Sequence, residues 1–385
     1  MITLKGKYNS ANIMIDNLDQ ETVNQINTFL DHPAFAGTYI AIMPDTHAGA
    51  GAVIGFTAKR NDYVIPNVVG VDIGCGVLAY PLKTRSIALG EFDQFIKANI
   101  PSGFRIRGTD DRMVTGSRPK DLFDDDMSDV IGLAESTNQD IHKVIGSVGT
   151  LGGGNHFIEV DRTDEGDYWL LIHSGSRNFG LKVANFYQSK ARELLKKMLI
   201  DTDERKGLEY LPAGLGAEEY LEAMRTAQRY AKLNRATMAA VGLRFFDQSP
   251  QDTEPIETVH NYISFEDDII RKGAVSAREG ERLVIPFNMR DGVMVCRGKG
   301  SRKWNYSAPH GAGRILSRTQ AKKTLSVEDF QNTMQGIYTT TATRDTIDEA
   351  PMAYKDKDVI VKAVAETVDI EFFMKPVYNF KAGEE

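Results

Sequence analysis

The chain has 385 residues, 42% of them hydrophobic and 26% charged, with 34 glycines and only 2 cysteines. That length allows two or three units of roughly 100–200 residues, or one large elaborated domain, with a sizeable core in either case. The 46 Lys and Arg against 53 Asp and Glu give a net charge of −7, which argues against a protein that grips nucleic acid by bulk positive charge. Cys75 and Cys296 cannot make a disulfide framework, and the opening MITLKGKYNS has no apolar leader segment. No run approaches the roughly 18 apolar residues of a membrane span. The expectation is a cytoplasmic protein in a reducing compartment, with no membrane partner.

In chain order, the first hundred residues alternate short apolar runs (TYIAIM, AVIGFTA, YVIPNVVGV, GVLAYPL) with glycines, which predicts strands joined by tight turns. Residues 110–129 are acidic and read as a solvated surface without chemistry. The strand and glycine pattern returns in IGSVGTLGGGNHFIEV and DYWLLIHSGSRNFG. Over about 181–247 the apolar spacing is helical, through Tyr187, Leu194, Tyr220, Met224, Leu233, Met238 and Val241, and predicts two helices joined near LPAGLG. RLVIPF and GVMVCRG read as strands, and 356–372 as a last helix with Asp356 at its dipole-favoured end. There is no Pro/Ser-rich linker, low-complexity tract or repeat. The pattern therefore predicts a single α+β domain over 1–385, with a helical insertion at about 181–247.

Histidine carries the strongest chemical signal. Of seven, His47, His156, His173, His260 and His310 stand in glycine-rich or strand-end contexts, where backbone can approach a ligand and side chains are presented to it. His32 and His142 lack that context and read as packing or surface residues. In VGVDIGCGV, Asp72 and Cys75 lie three residues apart among glycines, so a carboxylate and a thiolate converge from one turn. A thiolate can bridge two metals, and with imidazoles nearby the N, O and S set suits a divalent Mn, Zn or Co. In HGAGR, His310 is a candidate nucleophile toward phosphorus, with Gly311 and Gly313 allowing close approach and Arg314 supplying charge. The same segment also reads as a helix N-terminus, which itself favours phosphate. Asp45 and His47 in MPDTH are candidates to orient a ligand or a basic residue.

The strings MPDTH, VGVDIGCG, GTLGGGNHFIEV, HSGSR, HNY, SAPHGAGR and AYKD, in this order and over nearly the whole chain, resemble the RtcB family of GTP-dependent RNA ligases. The resemblance implies a single RtcB-like domain of mixed sheets and two manganese ions bridged by Cys75. Asp72 and His156 would complete one site, and His173 and His260 the other. It implies that His310 attacks the α-phosphorus of GTP to form a histidine–GMP phosphoramidate, that Asn155 contacts phosphate, and that Glu159 binds the guanine edge. Lys381 and Tyr354 would stand near the nucleotide, with Arg177 and Arg314 on phosphate or RNA. A histidine attacks best when neutral, and cationic surroundings favour that form. The implied partner is RNA with a 3′-phosphate or 2′,3′-cyclic phosphate end and a 5′-hydroxyl end, in tRNA splicing or RNA repair; the motifs name no protein activator.

The chain departs from the family pattern in two places. Where many members carry a Pro-Gly-Ser-Met-Gly type segment, it reads IPFNMRDG, without the serine that would face guanine, and its C-terminal lysine stands in NFKAGEE. Metal binding is thus better supported by the residues than guanine specificity. A second reading, a metal-dependent RNA-end phosphodiesterase or phosphatase, would not need His310 as a nucleophile; a third is a non-catalytic RNA-end or metal-binding module. Residues 290–323 hold nine basic residues against the single acid Asp291. With Trp304 and Tyr306 as stacking platforms, they read as a basic patch for RNA. Cys296 reads as an ordinary buried thiol.

Overall fold

The computed structural model describes residues 1–49, 51–108, 124–200 and 206–383. Strands β1 (Ile2–Lys5) and β2 (Ser10–Ile13), helix α1 (Gln20–Leu30), β3 (Ile40–His47) and β4 (Ile54–Lys59) lead to the short β5 (Tyr63–Val64) and α2 (Pro66–Val69). Next come β6 (Gly76–Pro81), α3 (Leu89–Asn99), α4 (Asp124–Ser136), α5 (Ile141–Gly146), β7 (Phe157–Thr163) and β8 (Tyr168–Ser174). The long helices α6 (Arg177–Lys197) and α7 (Ala217–Arg244) flank the two-residue β9 (Leu211–Pro212). Then follow β10 (Ile256–Val259), β11 (Asn261–Ile263), β12 (Ile269–Lys272), β13 (Ala274–Ser276), β14 (Arg282–Asn288), β15 (Gly292–Gly298) and β16 (Ser307–Pro309). The chain ends with α8 (Arg318–Thr324), α9 (Val327–Thr333), α10 (Lys357–Ala363) and β17 (Val368–Phe380). The class is α+β, as the strand and helix signals predicted.

One sheet runs β1-β2-β3-β4-β12-β11, antiparallel except for the β2–β3 pair. The other runs β10-β6-β8-β7-β17-β15-β14, antiparallel throughout. This second sheet curls until its edge strands β10 and β14 touch. Its inner face is one apolar cluster to which all seven strands contribute, among them Val77, Phe157, Trp169, Leu171, Ile256, Val284, Val293 and Met374. Period-2 alternation sends the intervening residues outward. There Leu78, Ile158, Val160, Leu170 and Ile172 meet α3 and α7, while Ile285, Met294 and Cys296 meet α10. Helix α7 also packs on α4, α6 and β8, so its buried stripe is shared between two cores.

Four expectations fail. TYIAIM, AVIGFTA and GVLAYPL form β3, β4 and β6 as expected, but YVIPNVVGV bends into the short helix α2 at Pro66, and helices α1 and α3 stand between the strands. The last helix stops at Ala363, and 368–380 is the long strand β17, whose alternating burial and pairing with β15 and β7 override the helical spacing. HGAGR opens no helix: Ile315 is exposed, and α8 begins only after the Ser317 cap. Trp304 is 2% exposed, with its indole N–H donating to Glu366, so it offers no surface for a base. The acidic stretch 110–129 lies mostly outside the described residues and ends within α4.

Candidate metal centre and nucleophile

Antiparallel pairing gathers distant segments at one mouth of the curled sheet. Gly76 at the start of β6 pairs with Ser174 at the end of β8 and with Val259 at the end of β10, and Phe157 at the start of β7 pairs with His173. Asp72 and Cys75 before β6, Asn155 and His156 before β7, His173 in β8 and His260 after β10 therefore meet, with Lys381 just beyond β17 at the same end.

Cys75 Sγ lies 3.5 Å from His156 Nε2 and 3.3 Å from His173 Nε2, and Asp72 Oδ2 lies 3.0 Å from His156 Nε2. Two groups able to hold a cation result, Asp72–Cys75–His156 and Cys75–His173–His260, with Cys75 common to both. His156 Nδ1 stands 2.8 Å from the Leu151 carbonyl and His173 Nδ1 3.1 Å from that of Asn155. A carbonyl only accepts, so each Nδ1 carries a hydrogen and each Nε2 is the nitrogen that faces Cys75. Burial pulls His173 and His260 below the usual imidazole range and so favours their neutral, ligating form. Burial opposes ionisation of Asp72, but His156 outweighs it and holds the carboxyl at about 2. The Cys75 thiol is pushed up by burial and by Asp72, the bias a bound cation reverses. This N, O and S donor set fits divalent transition metals.

Hydrogen bonds behind these residues fix the loops. Asp72 Oδ1 accepts from the Ser176 N–H at 2.9 Å, and a Cβ on Gly175 would fall 2.2 Å from that oxygen. Arg235 of α7 donates to the Gly74 and Ser174 carbonyls, and Asn234 binds the Gly149 and Thr150 amides. Both are buried polar residues on α7, and each ties site loops together.

His310 follows β16 and meets Asp45 of β3. Its Nδ1–H donates to Asp45 Oδ2 at 2.7 Å and its backbone N–H to the same oxygen at 3.1 Å, so Nε2 is the ring nitrogen left to react. Asp45 is fully buried. Gly313, at φ 75°, is needed for this approach, because a Cβ there would lie 2.0 Å from the Asp45 carbonyl oxygen. The His310 and His260 rings are 4.8 Å apart, which places His310 against the two candidate cation groups. His47 Nδ1 donates to the Asp45 carbonyl, and burial holds that imidazole at about 4. Lys355 of AYKD donates to the Pro44 and Thr46 carbonyls and pins the end of β3.

A cavity of about 250 Å³ opens beside these groups, lined by Asn155, Glu159, His173, His260, His310, Gly311, Gly313, Arg314, Tyr354 and Lys381. Glu349, which the sequence reading missed, organises its cationic wall. It accepts from Arg314 at 3.0 Å, Tyr354 at 2.6 Å and Lys381 at 3.2 Å. Burial disfavours its charge, yet these cations hold its carboxyl at about 2. Its only sequence signal was an acid pair, Asp348–Glu349, just before AYKD. Asn379, also missed, donates to Glu159.

Two further expectations need correction. Arg177 does not line the cavity; its guanidinium binds Thr150 and the Leu151 and Gly103 carbonyls. The basic patch is largely neutralised: Arg297 pairs with Glu371, Lys299 with Asp369, Lys303 with Glu366, and Arg318 and Lys322 with Asp348. Asn288, in the segment lacking the expected serine, spends its side chain on its own turn, with Arg290 and Asp291 as partners. His32 is buried against Phe35 and Tyr210, His142 is exposed, and Cys296 is a buried thiol pushed up to about 12 by burial.

A curled sheet with two candidate cation groups at its mouth and a hydrogen-bonded histidine beside them marks a candidate metal-dependent enzyme. The profile of the family described as tRNA-splicing ligase RtcB matches residues 25–382. An RNA-splicing ligase RtcB of Escherichia coli K12 is 33% identical over 90% of this chain and 91% of its own length. The tRNA-splicing ligase RtcB of Aeropyrum pernix is 30% identical over 86% and 85%, and the RNA-splicing ligase RtcB of Mycobacterium tuberculosis 28% identical over 83% and 91%. The chain belongs to the RtcB family of RNA ligases. No helix among the described residues is long and apolar enough to cross a membrane.

Proposed function

We propose that the chain, working as one catalytic unit in the cytoplasm, is a GTP- and manganese-dependent ligase. It joins RNA 3′-phosphate or 2′,3′-cyclic phosphate ends to 5′-hydroxyl ends, in tRNA splicing or RNA repair. The observation that carries the reading is His310, held through Nδ1 by buried Asp45 with its ring against His260. His310 Nε2 attacks the α-phosphorus of GTP, the α–β phosphoanhydride bond breaks, and pyrophosphate leaves. The GMP passes to an RNA 3′-phosphate; the 5′-hydroxyl attacks that activated end, and GMP departs as the strand is sealed. A cyclic phosphate is first opened by water, which forms a bond to phosphorus as the P–O2′ bond breaks and leaves a 3′-phosphate and a 2′-hydroxyl.

Asp72, His156 and Cys75 would hold one manganese ion and Cys75, His173 and His260 the other. Such ions supply charge neutralisation to phosphate oxygens. Asn155, Arg314 and Lys381 line the cavity as phosphate and nucleotide contacts, with Gly311 and Gly313 leaving room for them, Tyr354 beside the nucleotide and Glu159 toward guanine. The test is incubation with Mn(II) and GTP labelled on the α-phosphate, followed by denaturation. Label is expected on the wild type and absent from His310→Ala. A wild type that stays unlabelled while still opening cyclic phosphate would replace the ligase by a metal-dependent phosphodiesterase.

A further inference from the structure

Phe157, Glu159 and Asp161 alternate on β7 and so share its inner face. Glu159 reaches the cavity, whereas Asp161 lies two residues, about 7 Å, further down the curled sheet. Asp161 is fully buried, and no N–H or O–H donor among the described residues reaches either of its carboxyl oxygens. Its polar neighbour is the carboxyl of Glu159, two residues back on the same face of β7. Two carboxyls bond to each other only when one holds a proton. Around them the inner face is apolar, with Trp169 and Leu171 from β8, Val293 and Val295 from β15 and Met374 from β17.

We propose that Asp161 is a positioning residue that decides which nucleobase edge the cavity accepts, by donating a hydrogen bond to Glu159 from the floor of the curled sheet. The inference rests on the reading of Glu159 as the base-facing acid. With Asp161 and Asn379 donating from behind, Glu159 stays ionised and turns acceptor lone pairs to the cavity. An ionised carboxylate matches a base edge with adjacent N–H donors, as guanine has at N1 and N2. A protonated one offers a donor beside an acceptor, which matches the N1 and N6 edge of adenine.

Burial raises both carboxyls, and because Asn379 donates to Glu159 while no donor among the described residues reaches Asp161, Asp161 holds the first proton of the pair. The other charged neighbours do not reverse this order. Lys381, beyond β17, faces Glu159 but is matched by Glu349, and His173 on β8 is held neutral by burial.

The test is equilibrium binding of GTP and of ATP from pH 5.5 to 8.5 by the wild type, Asp161→Leu and Asp161→Asn. In the wild type, GTP affinity should rise with pH through about 7 while ATP affinity does not. Asp161→Leu, which removes the donor, should lower the GTP:ATP preference at pH 7 about tenfold and move the GTP midpoint upward. Asp161→Asn, whose amide can still donate, should keep most of the preference. A GTP affinity flat with pH in the wild type overturns the proposal, a readout that does not require either variant to fold. So does Asp161→Leu with the wild-type preference, or Asp161→Asn with losses equal to those of Asp161→Leu. A protein that binds as expected but never becomes labelled on His310 would sink the ligation chemistry and leave the role of Asp161 standing.

Discussion

At the scale of single residues, the site depends on which nitrogen of each ring bears hydrogen. His310 Nδ1 donates to Asp45, while His156 and His173 donate from Nδ1 to backbone carbonyls. Each thereby turns Nε2 to the chemistry, as outer partners of ligating or reacting histidines do. Asp45→Asn can offer an N–H where Nδ1–H needs an acceptor, and so favours the wrong tautomer. Guanylylation of His310 should slow roughly 10²-fold or more, with nucleotide affinity nearly unchanged. An equal loss in affinity and rate would instead make Asp45 a packing residue. Asp45 was legible, because MPDTH places an acid two residues from a histidine in a strand-end motif. Glu349 and Asp161 were not: each is an acid in an unremarkable string, and only tertiary pairing turns one toward three cation and hydroxyl donors and the other into the interior.

At the scale of elements, the glycine and histidine strings marked strand ends correctly, while the helix expected at 356–372 became strand β17. Local periodicity cannot report that β17 has β15 on one side and β7 on the other, and those pairings decide the matter. The same dependence on neighbours explains why HSGSR needs its glycine. Gly175→Ala would put a methyl against the Asp72 carboxylate, the movable partner, so the carboxylate should swing aside. Bound manganese affinity should fall about 10- to 100-fold, as for other groups that orient ligands, with little change in thermal midpoint. A matching drop in midpoint with metal affinity intact would show that the backbone, not the ligand, gave way.

Across the whole molecule, the charge that the linear sequence concentrates at 290–323 is dispersed by acids from elsewhere, so the basic patch read from one segment was a property of the list and not of the surface. Glu349 is the clearest case, joining Arg314, Arg318, Tyr354 and Lys381. Its carboxyl, at about 2 against an ordinary 4.5, is depressed in the fold. A depressed acid contributes stability that is fully present above 4.5 and is lost as pH falls toward 2. The shift corresponds to roughly 3 kcal/mol. Glu349→Gln should cost about that much in urea unfolding at pH 7, and the gap between variant and wild type should close toward pH 2–3. A gap constant with pH would assign the loss to shape and not to charge.

The partners at the mouth of the curled sheet come from far apart along the chain: 98 residues separate Cys75 from His173, and 265 separate Asp45 from His310. No contiguous fragment that ends before residue 310, or begins after residue 45, holds the Asp45–His310 pair. On the proposed reading, a ribosome that has released only the first three hundred residues has made every proposed cation ligand but not His310, the proposed nucleophile. On that reading, the Asp45–His310 pair can form only after the last quarter of the chain has been made and has closed against β3.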